Sequence, residues 1–150
     1  MFRNIFIPTA GSELSEKAIR EGVELARSVG ASVTGFYAAR KFHHVILQEG
    51  AFASIDSVQQ KEFNHQEQER AEQCFELIRK LAQEEGVACE CYCEFTDCPH
   101  YEAIIQAAQK KGCDLILMAS SEEQRFVDKI MGSDATRVIT HTNIPVLVCH

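Results

Sequence analysis

Residues 4–30 read NIFIPTAGSELSEKAIREGVELARSVG, which describes a strand, a turn and a helix in that order. The short apolar run at residues 4–7 ends at Pro8, a pattern typical of a buried parallel strand. Ser12 is a favourable N-cap for the helix that follows, with two glutamates in its first turn. Apolar residues then recur at helical spacing as far as Gly30, which is suited to the C-cap. The stretch predicts the opening strand and helix of an α/β protein.

The rest of the chain continues this alternation. Further strands are predicted at residues 31–38, 87–95, 113–118 and 144–149, and further helices at residues 58–85, 101–111 and 133–142. Residues 40–56 are too apolar for a disordered linker, so we expect that loop to fold over the domain or a partner. Strands that alternate with helices indicate one parallel sheet with helices on both faces. Ligands of such sheets bind outside the carboxyl ends of the strands, which points to the turn after Pro8 and the loop after Met118.

Length and composition limit the classes of function. With 150 residues and 45% hydrophobic content, the chain predicts one globular domain spanning residues 1–150. A net charge of −7 argues against nucleic acid as the main partner, because the phosphate backbone demands a basic surface. The N-terminus lacks the apolar segment of a signal peptide, and no 18-residue apolar span is present. We therefore expect a cytoplasmic protein without membrane contact.

Three of the seven cysteines, Cys89, Cys91 and Cys93, share one face of the third predicted strand, whose polar other face indicates an edge strand. Neighbours on one face of a strand lie about 6.5–7 Å apart at Cα, at or beyond the limit for a disulfide. Zinc sites more often use C-x2-C turns. Reduced thiols packed in the core, without a metal, are favoured over a metal-binding or redox role.

The other titratable residues predict no catalytic centre. The six histidines are scattered, and none stands at a spacing that suggests a triad with a serine or cysteine. Solvated or structural histidines are therefore the favoured interpretation. Glu67, Glu69 and Glu72 are predicted to form a solvated helix face.

Motifs along the whole chain resemble those of the universal stress protein family. Residues 7–15, IPTAGSELS, are similar to the family's opening VPTDGSELS, and Cys98-Pro99 is similar to its G-x-P turn. Residues 114–118, DLILM, resemble its DLIVMG strand, and residues 144–148, IPVLV, resemble its terminal CPVLVV. On this resemblance the chain is identified as a member of the family.

The resemblance implies a doubly wound, Rossmann-like α/β fold with a five-stranded parallel sheet in the order 3-2-1-4-5. It also implies a homodimer in which the last strands pair across a two-fold axis. The residues expected at that interface are Ile144, Pro145, Val146, Leu147 and Val148. An unpaired apolar edge strand promotes aggregation, and a second copy would cover it. A helix or loop that covers the edge is the alternative.

Nucleotide-binding members of the family carry Asp after the Pro-Thr of the first turn and a G-x2-G-x9-G-[S/T] pattern in a later loop. The matching positions here are Ala10, Ala119, Glu122, Gly132 and Ser133. Only the last pair agrees with the pattern. Ala10 cannot accept the hydrogen bonds that a carboxylate accepts. Ala119 and Glu122 lack the conformational freedom of glycine beside a phosphate, and Glu122 adds a repelling charge.

These departures predict a vestigial nucleotide site, in which Asp134 satisfies the dipole of the last helix without a ligand. The candidate residues are Pro8, Thr9, Ala10, Ala38, Met118, Ala119, Ser120, Glu122, Gly132, Ser133 and Asp134. We expect a stress-response homodimer that acts by binding a protein or small molecule, without catalysis or a cofactor. The alternative is a switch that binds ATP or AMP, with weak ATPase activity at most, because Gly132-Ser133 remains a phosphate cradle.

Overall fold

Five parallel strands form the centre of the computed structural model, which describes residues 1–42, 57–120 and 134–150. The strands are β1 (Asn4–Pro8), β2 (Ser32–Arg40), β3 (Cys89–Thr96), β4 (Leu115–Ala119) and β5 (Val146–Cys149). The helices in the described ranges are α1 (Glu13–Val29), α2 (Ser57–Glu84), α3 (His100–Lys110) and α4 (Asp134–His141). The sheet runs in the order β3-β2-β1-β4-β5, and every neighbouring pair is parallel. The predicted fold class and strand order are confirmed.

The middle strand, β1, is buried on both faces because helices cover the sheet on both sides. Ile5 and Ile7 belong to the core that α1 and α2 build on one face. Phe6 belongs to the core that α3 and α4 build on the other. All three side chains are fully buried. This two-sided burial explains the continuous apolar run in the sequence, which a strand with one face in water would not need.

Helix α1 begins and ends at the capping residues that the sequence predicts. The Ser12 hydroxyl accepts a hydrogen bond from the backbone N–H of Ser15 at 3.1 Å. Gly30 takes the left-handed conformation with φ of 70°, and the N–H of Ala31 donates to the carbonyl of Ala26 at 2.8 Å. The end of β1 and the start of α1 are thus held close together by a short turn.

All five strands differ from their predicted bounds by one or two residues at an end, and the reason is clear for β2 and β5. β2 continues beyond residue 38 to Arg40, because β3 pairs with it as far as Thr96. β5 begins at Val146 and not at residue 144, since Pro145 has no N–H and contributes its carbonyl, which accepts from Ile116 at 2.9 Å. The predicted loop at residues 40–56 lies largely outside the described residues, which stop at 42 and resume at 57. The expectation that this loop folds over the domain or a partner stays a prediction.

The prediction of packed core thiols is wrong for Cys89. Cys113 and Cys149 are buried, and Cys91 and Cys93 are half-buried against the core on the α1 and α2 side. Cys89 is exposed. It is the first residue of β3, which is an edge strand of the sheet. No further strand in the described part of the chain covers that edge.

Two features are absent from the ranges that the structure describes. No group of three or more His, Cys, Asp or Glu residues there is placed to hold a metal ion. None of the helices in these ranges is both long and apolar enough to span a bilayer.

Candidate functional site

Two clefts open at the carboxyl ends of the strands, the edge where a doubly wound sheet binds ligands. The smaller, of about 140 Å³, lies between the ends of β1 and β4 and the start of α4; we call it the β1–β4 cleft. The larger, of about 790 Å³, lies between the ends of β2 and β3 and helix α2; we call it the β2–β3 cleft. His100 and Asp134 line both, so the clefts are neighbouring parts of one candidate site.

Most residues predicted for the vestigial nucleotide site meet in these clefts. Those that line the β1–β4 cleft are Pro8, Thr9, Ala10, Met118, Ala119, Ser120 and Asp134. Ala38 lines the β2–β3 cleft instead. Glu122, Gly132 and Ser133 lie outside the described residues. The structure therefore brings the turn after β1 and the end of β4 to one place.

Thr9 carries a buried hydroxyl in the wall of the β1–β4 cleft. Its backbone N–H donates to the carbonyl of Phe36 at 2.9 Å, which ties the residue to β2. Thr9 is 4% exposed, and its Oγ1 has no hydrogen-bond partner among the nitrogen and oxygen atoms of the described residues. Burial raises the pKa of the nearby Cys74 thiol, and the Thr9 hydroxyl partly opposes that rise. Because its neighbour is a thiol, a weak hydrogen-bonding group, the buried hydroxyl is poorly satisfied, which makes Thr9 a candidate for ligand contact.

The turn between β1 and α1 is held by its own serines. The hydroxyl oxygens of Ser12 and Ser15 lie 3.0 Å apart, and that of Ser15 accepts from the N–H of Ala10 at 3.5 Å. Gly11 has a positive φ of 79°, and a Cβ there would lie 3.3 Å from Sγ of Cys74. Ala10 is exposed and offers only a methyl group. The turn keeps a compact shape, but no carboxylate stands at position 10 to accept hydrogen bonds from a ligand.

A contact between two side chains joins the starts of α3 and α4. Nδ1 of His100 lies 3.0 Å from Oδ2 of Asp134. Each is the first residue of its helix, where the helix dipole favours a carboxylate. The hydrogen bond from His100 lowers the pKa of Asp134; partial burial opposes this, and the charges of His100 and Arg137 add to it. Asp134 is therefore ionised at neutral pH and places a negative charge between the two clefts.

Glu67 is buried in the β2–β3 cleft, so the predicted solvated face on α2 is wrong at this residue. It is 6% exposed. Its Oε1 accepts from Nη1 of Arg70 at 3.0 Å, and its Oε2 accepts from the N–H of Arg40 at 3.4 Å. Glu69 and Glu72 are exposed, as predicted. Glu67 stands four residues before Ala71, the next buried residue of α2. The helical spacing of the buried positions therefore indicates, from sequence alone, that Glu67 lies on the buried face.

The charges around the β2–β3 cleft are mixed. Its described lining includes the guanidinium groups of Arg40 and Arg70 and the carboxylates of Glu67, Asp97 and Asp134. Phosphate recognition favours arginine and lysine without competing carboxylates. The described residues therefore suit a neutral or weakly charged ligand better than a polyphosphate.

His100, Glu67 and Arg70 are site residues that the sequence reasoning did not identify. His100 follows Cys98-Pro99 directly, so the turn motif could have placed it at a helix start beside the strand ends. Arg70 is recognisable only through its pairing with Glu67, three residues earlier on the same helix.

The strand order defines a Rossmann-like α/β protein, and a cleft lies at the ends of β1 and β4, where such sheets bind ligands. A family model described as the universal stress protein family matches residues 1–150. The chain belongs to this family.

Individual relatives agree with the family match. A universal stress protein of Methanocaldococcus jannaschii is 28% identical over 149 residues, which cover 99% of this chain and 82% of that protein. The structure of a universal stress protein in complex with cAMP superposes with a TM-score of 0.74 at 14% identity, covering 99% of this chain and 97% of that one. Another, from Archaeoglobus fulgidus in complex with dAMP, gives 0.62 at 18% identity, covering 97% and 96%. These two structures share the fold of this chain.

Proposed function

We propose that this universal stress protein is a stress-response homodimer that binds a protein or small-molecule partner, and that its nucleotide site is degenerate. In this proposal the protein acts by binding and not by catalysis. The observation that carries it is the ionised carboxylate of Asp134, which His100 holds at the start of α4 between the two clefts.

The Asp134 carboxylate opposes a phosphate at the helix end where phosphate binding is expected. Helix N-termini attract anions, and here the first residue of α4 supplies its own. Two unit charges about 5 Å apart repel by on the order of 3 kcal/mol at an effective dielectric near 20, before salt screening. Across the cleft, Ala10 offers no carboxylate to a ribose or base. Both features reduce the affinity for ATP, and they act independently.

The proposed dimer is supported by the exposed edge of β5. This strand pairs with β4 on one side and stands at the end of the strand order. Pro145 is exposed, and Leu147 is 41% exposed. The other residues of the segment, which are half-buried, are Ile144, Val146 and Val148. An apolar edge of this kind favours pairing with a second copy across a two-fold axis.

A second candidate function is the binding of an adenine nucleotide with a single phosphate, such as AMP, as a switch. Thr9 favours it, because this residue lines the β1–β4 cleft and its buried hydroxyl has no nitrogen or oxygen partner among the described residues that a ligand would have to displace. The neighbouring cleft, of about 790 Å³, is of a size that holds small molecules. Family members of the same fold have been solved in complex with cAMP and with dAMP. One phosphate also meets less repulsion from Asp134 than three.

Titration calorimetry and thermal shift with Mg-ATP and with AMP, each at about 1 mM, separate the two candidates. A ligand with Kd of about 10 μM would stabilise the protein by roughly 2.7 kcal/mol at that concentration, which is readily measured. A degenerate site predicts almost no shift with either nucleotide. Micromolar binding of ATP contradicts the proposal, and micromolar binding of AMP alone supports the second candidate. Light scattering tests the homodimer separately, since its result does not depend on any ligand.

A further inference from the structure

Two thiols lie side by side at the outer edge of the sheet. The Sγ atoms of Cys89 and Cys91 are 3.8 Å apart, within hydrogen-bonding reach for sulfur. Cys89 is exposed and Cys91 is half-buried. From this geometry we propose that Cys89 is a site of reversible S-thiolation, at which its thiolate, hydrogen-bonded by the Cys91 thiol, exchanges with a low-molecular-weight disulfide.

Cys91 is seated between β2 and α2. The residue opposite it on β2 is Gly35. A Cβ at that position would lie 2.9 Å from Sγ of Cys91 and 2.7 Å from Cδ1 of Ile78, so the missing side chain leaves the space that the thiol occupies. The hydrogen bond with Cys89, followed by burial, raises the pKa of Cys91. Cys91 is the more buried of the two thiols, so when one thiol of the pair ionises the proton stays on Cys91, which is then the donor.

Cys89 is the acceptor of the pair and the exposed nucleophile. The hydrogen bond from Cys91 lowers the pKa of Cys89, and the positive charge of Arg79 on α2 lowers it further. Partial burial and the negative charge of Glu90, on the same strand, oppose this shift, but the net pKa is lowered. Nη1 of Arg79 contacts Oε2 of Glu72, seven residues earlier on the same helix, at 2.8 Å. Low-pKa, accessible thiols next to a cation are the ones that react with disulfides.

The more buried thiols differ from Cys89 in both access and charge. Burial raises the pKa of Cys93 and of Cys113 to about 11, and that of Cys149 to about 12. A thiol that stays protonated at neutral pH is a poor nucleophile. These cysteines therefore serve as internal references for the reactivity of Cys89.

The exchange needs one thiolate and one disulfide, R–S–S–R. The Cys89 thiolate attacks one sulfur, forms Cys89–S–S–R and releases R–S⁻, which takes a proton from water. The Cys89 sulfur is oxidised and the leaving sulfur is reduced. Closure to a Cys89–Cys91 disulfide is opposed, because residues two apart on a strand lie about 6.6 Å apart at Cα, close to the upper limit for a disulfide. Pairing with β2 at both residues also holds β3 extended, so the mixed disulfide persists until another thiol removes it.

The position of the site is compatible with the proposed dimer. β3 and β5 stand at opposite ends of the strand order. Pairing of two copies through β5 therefore leaves Cys89 accessible.

The test uses the full, reduced protein with oxidised glutathione as the probe. We expect one glutathione per chain, located at Cys89 by peptide mass spectrometry and removed by dithiothreitol. Cys89→Ser should take up none, whereas the matched variant Cys93→Ser, on the same strand face, should react like wild type. An even spread over several cysteines, no adduct at Cys89, a Cys89–Cys91 disulfide or a disulfide-linked dimer would each overturn the proposal.

The neighbours of Cys89 give a second, kinetic test. Cys91→Ala should slow the reaction by about threefold or more, because losing the hydrogen bond reduces the fraction of Cys89 that is thiolate. The thiolate that remains is intrinsically more nucleophilic, which offsets part of this loss. Arg79 is a surface residue whose side chain is 48% exposed, so its replacement does not endanger folding. Arg79→Gln should slow the reaction and Arg79→Lys should preserve its rate. Equal rates in wild type, Cys91→Ala and Arg79→Gln contradict the proposed activation.

Discussion

Nδ1 of His100 lies 3.0 Å from Oδ2 of Asp134, and this contact ties the start of α3 to the start of α4 where the two clefts meet. Asp134 is the first residue of α4, so its carboxylate complements the dipole of that helix, and the contact with His100 holds it near the start of α3. In a phosphate-binding protein the ligand supplies that negative charge. Removing the charge of Asp134 should make the site more receptive to phosphate.

Asp134→Asn is expected to strengthen ATP binding by about tenfold. Repulsion across one cleft is worth on the order of 1–2 kcal/mol after screening, which corresponds to about a decade in Kd. Titration calorimetry measures the two affinities. Glu69→Gln is the matched control, because it removes the carboxylate of another histidine pair, His65–Glu69 at 3.1 Å, on an exposed part of α2. Equal affinity for ATP in wild type and Asp134→Asn would refute this role of Asp134.

The same carboxylate makes stability depend on pH in the acid range. The pKa of Asp134 is lower in the folded protein than its ordinary value of about 3.9. The stability that the ionised Asp134 carboxylate contributes is therefore complete at a pH above the ordinary pKa. It is lost as the pH falls through the pKa of Asp134 in the folded protein. Because the paired side chains are 41% and 43% exposed, the contribution is below about 1 kcal/mol. Urea unfolding should find wild type more stable than Asp134→Asn at pH 7, and the difference should shrink as the pH falls below the ordinary pKa of about 3.9. A difference that stays constant into acid contradicts the assignment.

Thr9→Val is expected to stabilise the ligand-free protein by about 1 kcal/mol. The substitution replaces a buried hydroxyl that lacks a nitrogen or oxygen partner with a methyl group of the same shape. Thr34→Val is the matched control: Thr34 is 3% exposed, and its Oγ1 donates to Oδ1 of Asn4 at 2.9 Å. That variant should lose about 1–2 kcal/mol. Thermal or urea unfolding compares the two, and a loss of stability in Thr9→Val would show that the hydroxyl is satisfied.

Local patterns were sufficient to predict the strands and the placement of Thr9 and Ser120, because the carboxyl ends of parallel strands meet at one edge of a sheet. The contacts of His100 and Glu67 depend on residues distant in sequence. His100 meets Asp134 across 34 residues, and Glu67 accepts from Arg40 across 27. The burial of a carboxylate is decided by such tertiary neighbours, so a charged residue in a mostly polar helix is readily predicted to be solvated.

Leu147→Lys is expected to convert the proposed dimer into a monomer. Lysine on an edge strand opposes edge-to-edge pairing, and a two-fold axis would bring two such charges together. Light scattering coupled to size exclusion gives the mass of each variant. Val58→Lys, at an exposed position near the start of α2, should leave the mass unchanged. A dimer that survives Leu147→Lys would place the interface away from β5.

Gly35→Ala is expected to lower the free energy of unfolding by about 1–3 kcal/mol, the usual cost of overpacking a core. The added Cβ would lie 2.7 Å from Cδ1 of Ile78, which is fully buried. Ile78→Val deletes that carbon and costs about 1 kcal/mol alone. The double variant should therefore lose less stability than the sum of the two single variants, and urea unfolding of all four proteins measures that coupling. Additive losses would mean that the strain falls on Cys91, whose Sγ lies 2.9 Å from the same Cβ position, and not on Ile78.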